Sequence, residues 1–370
     1  MNFRILCSFL LLSSILLIGC EVDPVAVEIK RENLAKDYNN DVVAGWTDLY
    51  LDIERYLPGF RPAATARALA YINMAAYETA IPGMPHFVSN ALRQDSLILP
   101  DLPSNDVKKY HWNIAINACM ARTFEHFLIN KTAEHSALIK DLEASYNAQL
   151  APQVSQEVFN NSQLWGRAVA DAIIKFAQSD LEAEAQILDP SPDSYVPPTG
   201  EGKWQPAPGD KALFPYWGKV RTFANHNDQL KTLDPPIYST APGSRYYRDF
   251  AEVNKAVTLK EGQQYWMAEF WSDDIVGLSF SPPARLFAIA NQIIVIENID
   301  LETTLHLYCK LGIAENDGAV AAWKAKYEYN VERPFHYIRK YINSEFRPLL
   351  GEAIGVPGLT PSFPGYPSGH

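Results

Sequence analysis

Trp323-Lys324-Ala325-Lys326-Tyr327-Glu328-Tyr329-Asn330-Val331-Glu332-Arg333-Pro334, with Phe363-Pro364-Gly365-Tyr366-Pro367-Ser368-Gly369-His370 further on, is the part of this chain that decides how the rest is read. Lys326 and Arg333 stand seven positions apart. That is close to two helical turns, so on one helix both cations leave the same face, about 10 Å apart along the axis. Lysine brings a point charge and arginine a planar, bidentate fork, and the two can converge on one anion. Pro334 disfavours helical geometry at Arg333, which predicts that the helix stops there. Pro367-Ser368-Gly369-His370 adds a hydroxyl donor, a residue without Cβ whose amide can approach a ligand closely, and a titratable imidazole. Together these groups describe a site for a tetrahedral oxyanion, with His370 as a proton donor beside it.

The chain as a whole is acidic, with 43 Asp and Glu against 32 Lys and Arg and a net charge of −11. This argues against nucleic acid as a partner. It also makes a local positive cluster of Lys326, Arg333, Arg339 and Lys340 stand out. Arg339 and Lys340 read as a solvated helix end, where the dipole favours cations anyway.

Lys, six residues, Arg-Pro, then Pro-Ser-Gly-His resembles the first two of three signature motifs of the vanadium-dependent haloperoxidase and type-2 phosphatidic acid phosphatase superfamily. At average residue usage the second motif would arise by chance in well under about one per cent of chains this long. Arg67-Ala-Leu-Ala-Tyr-Ile-Asn-Met-Ala-Ala-Tyr-Glu78, Trp204-Gln-Pro-Ala-Pro208, Phe214-Pro-Tyr-Trp-Gly218 and Glu269-Phe-Trp-Ser-Asp273 are similar to segments of bacterial haloperoxidase-like proteins. The resemblance covers most of the chain after residue 40.

It implies an all-α helical bundle and a vanadate cofactor, with hydrogen peroxide and bromide or chloride as reactants. Lys326, Arg333, the Ser368 hydroxyl and the Gly369 amide would hold the oxygens of vanadate. A helix beginning after Pro367 would add its dipole, and His370 would act as general acid–base. Trp323 and Phe363 would line the halide pocket, and Asp273 or Asp274 would orient the anion-binding arginines. The plainer readings are core packing for Trp323 and Phe363, and helix-end capping for the two aspartates. In the phosphatase variant the same cage binds phosphate and the substrate is a phosphomonoester. In the superfamily the third motif, Ser-Arg, several residues, then His, lies well downstream of the Pro-Ser-Gly-His block, and this sequence ends at His370. The expectation is therefore a C-terminally incomplete chain with weak oxyanion binding and little turnover, or a non-catalytic, anion-binding lipoprotein. His336 and His306 are conceivable substitutes for the absent histidine, although a structural role fits His336 better.

Residues 1–19 read as a lipoprotein signal peptide: Arg4 precedes an apolar run from Ile5 to Ile18, and the run ends Gly19-Cys20. A small residue directly before Cys resembles a lipobox. The expectation is an exported protein in the cell envelope, tethered by lipid at Cys20, with no other membrane contact. The alternative, a transmembrane anchor, has a run short for a span. Residues 20–44 read as a linker and 45–370 as the domain. Cys119 and Cys309 lie in apolar helical patterns and read as buried free thiols, with one disulfide as the alternative.

Apolar periodicity is mostly helical from residue 45. Helices are expected over Trp46–Leu57, Arg61–Ala80, Asp106–Asn130, Thr132–Leu150 and Ser155–Ser179. Others are expected over Ser244–Thr258, Glu261–Trp271 and Ala284–Asn298, and the longest over Asp300–Val331, with a break at Gly312 or Gly318. Between them, 186–243 is crowded with proline, interleaved with Trp204, Phe214, Tyr216 and Trp217. A disordered linker would lack such aromatics, so this stretch is expected to be a long ordered loop bordering the mouth of the site.

Overall fold

A computed structural model describes residues 33–370 except 59–61, 225, 227–228, 274, 353–354 and 356–357. Cys20 and the leader, Arg61 and Asp274 lie outside the described residues. The described chain is all-α. Eleven α-helices are joined by short 3-10 turns and by one long loop, and the one β-bridge, Lys203 with Val331, is isolated.

Two helices organise the core. α2 (Ala63–Ala80) is buried along its whole length. Its run of small residues lets neighbouring helices approach closely, and α3 (Trp112–Phe127), α5 (Gln156–Gln178) and α10 (Leu301–Tyr329) pack around it. α10 runs unbroken through Gly312 and Gly318, not interrupted as expected. Gly312 is where α10 crosses α2: a Cβ there would sit 2.8 Å from the Ala70 Cα. The glycine is a contact point rather than a hinge.

Side-chain caps set several boundaries. Thr132 accepts from the His135 amide at the start of α4 (Ala133–Leu150), and His135 completes a capping box. Ser155, Ser244 and Asp300 cap α5, α7 (Arg245–Leu259) and α10 in the same manner. α1 (Asp41–Glu54) begins five residues before the expected Trp46. Val42 and Val43 are already buried, and the Asn40 side chain reaches across to the Ile299 carbonyl at 2.6 Å. α3 is shorter than expected, because a 3-10 turn at Val107–Lys109 precedes it. α6 (Leu181–Leu188) was not legible in the sequence. α8 (Gly262–Phe270), α9 (Pro282–Ile296) and α11 (Pro334–Tyr341) complete the set. Cys119 and Cys309 are buried free thiols, and no described helix is long and apolar enough to cross a membrane.

The proline-rich loop, 189–243, is built into the body. Trp204, Phe214 and Trp217 are fully buried. The Trp204 amide donates to the Asn330 carbonyl at 2.9 Å, and the Asn330 side chain returns a bond to the Trp204 carbonyl at 3.1 Å. The loop is thereby clamped to the C-terminal end of α10. Its 3-10 turn at Trp217–Lys219 lies on α10 so closely that a Cβ at Gly218 would come 2.6 Å from the Lys324 Cα.

Candidate oxyanion site

α10 delivers Trp323 and Lys326 one turn apart on one face. Lys326 is only 1% exposed. Its ammonium lies 5.8 Å from the centre of the Trp323 ring and 5.0 Å from that of Phe363, and the two rings are 5.2 Å apart. It donates to the carbonyls of Pro364, at 3.1 Å, and Pro367. No carboxylate among the described residues pairs with it. Burial, and then the like charge of Arg333, pulls its pKa from 10.5 down to about 7.

Arg333 does not share a helix with Lys326, as the spacing had suggested. α10 ends at Tyr329, and Asn330 turns the chain in the left-handed conformation with φ 50°. Arg333 is extended and occupies the cap position of α11, with Pro334 as the first helical residue. The two cations thus reach the site from the end of one helix and the start of the next. The Arg333 Nε donates to the Phe363 carbonyl at 2.6 Å, and its guanidinium lies 4.6 Å from the Phe363 ring centre. Burial lowers its pKa to about 10. Phe363 therefore meets both cations with its ring.

The loop carrying the second motif docks through Gly365. Its amide donates to the Val331 carbonyl at 2.9 Å, and a Cβ would sit 2.9 Å from the Glu332 carbonyl oxygen. Only glycine permits that approach. Next to Arg333, the Glu332 carboxyl is buried against the Tyr246 hydroxyl, and burial pushes its pKa up to about 7. The long loop borders this region as expected: the Leu213 amide donates to the Ser362 carbonyl, and the Tyr366 hydroxyl to the Leu233 carbonyl.

The expected acid–base group is held from another side. Asp273 is buried, and its Oδ1 lies 2.6 Å from the His370 Nε2. Its Oδ2 accepts from the Arg285 Nε at 2.7 Å. Asp273 thus faces His370 and Arg285 rather than Arg333. Arg285 also donates to the Phe270 carbonyl and lies over the rings of Phe270 and Trp271, at 4.6 and 5.7 Å. The Trp271 ring meets His370 edge-on at 5.4 Å. Arg285 escaped the sequence reading because a single arginine in an apolar helix carries no motif. The Ser368 hydroxyl accepts the His370 amide at 3.2 Å, and Ser368, Gly369 and His370 are exposed. The backbone over 368–370 is not helical.

His336 packs edge-on against Phe335, with its pKa lowered by burial and by Arg333. His306 lies on a separate cavity. Arg339 and Lys340 are exposed in the last turn of α11, as a solvated helix end. Among the described residues no three His, Cys, Asp or Glu converge as they would on a metal cation. What the arrangement offers is positive charge: a buried Lys326 and a half-buried Arg333, countered among the described residues by carbonyl dipoles, with an imidazole–carboxylate pair on the same C-terminal segment.

Known proteins resemble this chain. A family model described as the VCPO second helical-bundle domain matches residues 306–370, which carry both motifs. The chain is 23% identical to the vanadium chloroperoxidase of Curvularia inaequalis over 402 residues, covering 90% of this chain and 64% of that protein. It thus spans less than two thirds of that relative's length. Among solved structures, a bacterial vanadium-dependent iodoperoxidase superposes with a TM-score of 0.76 at 24% identity, over 90% of this chain and 77% of that one. A bacterial vanadium-dependent chloroperoxidase in its holo form gives 0.59 at 15% identity, over 85% and 74%. The family model over residues 306–370 and the curated relative make this chain similar to the vanadium haloperoxidases, and its all-α fold is the one seen in the bacterial members.

Proposed function

We propose that this protein is a vanadate-dependent haloperoxidase, oxidising halide with hydrogen peroxide. The observation that carries the reading is Lys326: a buried ammonium near the half-buried Arg333, walled by Trp323 and Phe363, with no carboxylate among the described residues to neutralise it. Burying unpaired like charges is costly, and a bound oxyanion relieves that cost. Vanadate fits this requirement: Lys326, Arg333, the Ser368 hydroxyl and the Gly369 amide would hold its oxygens.

When bound, vanadate supplies a Lewis-acidic centre that activates peroxide. The chain's own residues do the rest. Lys326 and Arg333 bind and neutralise. Trp323 and Phe363 exclude water and favour a weakly hydrated halide over a bulky, polar phosphate ester. Asp273 holds the His370 Nε2, which leaves Nδ1 to exchange a proton with the reacting oxygens. Tethering by lipid at Cys20 belongs to the same proposal, and incorporation of labelled fatty acid that is lost in Cys20→Ala tests it.

The test of the chemistry uses the native protein purified from its own cells. Vanadate is removed and restored, and bromide-dependent oxidation by peroxide is followed beside hydrolysis of p-nitrophenyl phosphate. Activity restored by vanadate in the first assay supports the proposal. Phosphate ester hydrolysis that vanadate merely inhibits overturns it in favour of an acid phosphatase.

A further inference from the structure

We propose that the cavity between the segment following α2 and the N-terminal third of α10 is a second binding site, for a small aromatic carboxylate. The cavity measures about 490 Å³ including its open mouth. It lies 16 residues before Lys326 on α10, hence about 24 Å along the helix axis, and is separate from the oxyanion site.

Its wall is aromatic. The His306 ring lies 4.7 Å from Phe87 and 6.3 Å from Tyr77, tilted against both. The His306 Nδ1 is buried and has no hydrogen-bond partner. A buried ring nitrogen without a partner needs an explanation, and a ligand oxygen in the cavity would supply one. Around the mouth stand His86, Arg93 and Lys310, all exposed. None of the three is ion-paired with a carboxylate among the described residues. In a chain of net charge −11, the unpaired Arg93 and Lys310 at one mouth favour an anion.

Two acids lie nearby without closing the site. Glu78 accepts the Asn90 amide at 2.7 Å and the Asn90 side chain at 2.9 Å. Glu302 is near enough to His86 and Lys36 for both to lower its pKa, which burial raises overall. The Cys309 thiol also lines the cavity, and burial pushes its pKa up to about 12. The carboxylate would meet the Arg93 fork, the Lys310 ammonium and the His306 Nδ1–H, with the ligand ring in the slot against Phe87.

Benzoate titrated into the 370-residue chain by calorimetry tests this, with benzamide as the uncharged control. The proposal expects benzoate to bind and benzamide not to bind. It expects Arg93→Ala/Lys310→Ala and His306→Phe each to weaken benzoate at least tenfold, and Lys326→Met to leave it within twofold. It is overturned if benzoate does not bind, or if benzamide binds as well. It is also overturned if Lys326→Met abolishes binding while the cavity variants retain it, which would place benzoate in the oxyanion site.

Discussion

Replacing Lys326 with methionine should stabilise the anion-free protein, and should do so in a pH-dependent way. The folded pKa of about 7 lies below the ordinary 10.5. The unfolded chain therefore holds the proton more tightly, and folding with Lys326 charged is penalised. The penalty is full below about pH 7 and fades as pH rises toward 10.5. At about 1.36 kcal/mol per pH unit it amounts to roughly 5 kcal/mol at pH 6 and about 2 kcal/mol at pH 9. Against it stand the bonds to the Pro364 and Pro367 carbonyls, each contributing about 1.5 kcal/mol or more as charged hydrogen bonds. Methionine keeps the volume and the packing on Trp323 and Phe363. The net expectation is a gain of about 1–3 kcal/mol at pH 6, in the range seen when buried charges give way to apolar groups. That gain should shrink by about 2–3 kcal/mol by pH 9. Urea unfolding of both proteins at the two pH values reads the difference directly. A variant less stable than the parent at pH 6, or a difference that does not change with pH, refutes the reasoning that Lys326 is a buried cation lacking its anion.

Three further outcomes follow from the geometry. Gly365→Ala should separate the second-motif loop from the Glu332 carbonyl, costing about 1–3 kcal/mol and weakening vanadate binding at least tenfold; unchanged binding by calorimetry would contradict the docking role. Asp273→Asn removes the charge shared by His370 and Arg285, and should cost about 1–3 kcal/mol in urea unfolding while slowing halide oxidation by the native protein. Cys119 and Cys309 are buried, with thiol pKa values pushed up to about 12 by burial, so neither should react with a thiol reagent until the protein is unfolded. Reaction of Cys119 in the native state would show that the core opens there.

Most helices could be read because their signals are local. Thr132, Ser155, Ser244 and Asp300 cap where their side chains alone say they should. The failures come from distance. Gly312 looked like a helix breaker, but its reason lies on α2, where Ala70 leaves no room for a Cβ. The start of α1 looked like linker because Asn39-Asn40-Asp41 is polar, yet Asn40 is held by a carbonyl 259 positions away. α6 spans only eight residues, too few for periodicity to show.

The site divides in the same way. Lys326, Arg333, Trp323 and Phe363 were named from spacing and resemblance, and the structure gathers them around one ring. That Arg333 belongs to α11 turned on the left-handed Asn330, which the seven-residue spacing hid. Arg285, the second partner of Asp273, had no local signal at all, because a buried ion pair is a property of the packed helices and not of either segment alone.

The most direct test of the oxyanion site is calorimetric titration of orthovanadate into the 370-residue chain at pH 7, beside Lys326→Met and Arg333→Ala. If Lys326 and Arg333 form the site, the parent binds, and each substitution weakens binding at least tenfold, or about 1.4 kcal/mol. If Lys326→Met, still folded by circular dichroism, binds orthovanadate as tightly as the parent, the site lies elsewhere and the central claim fails.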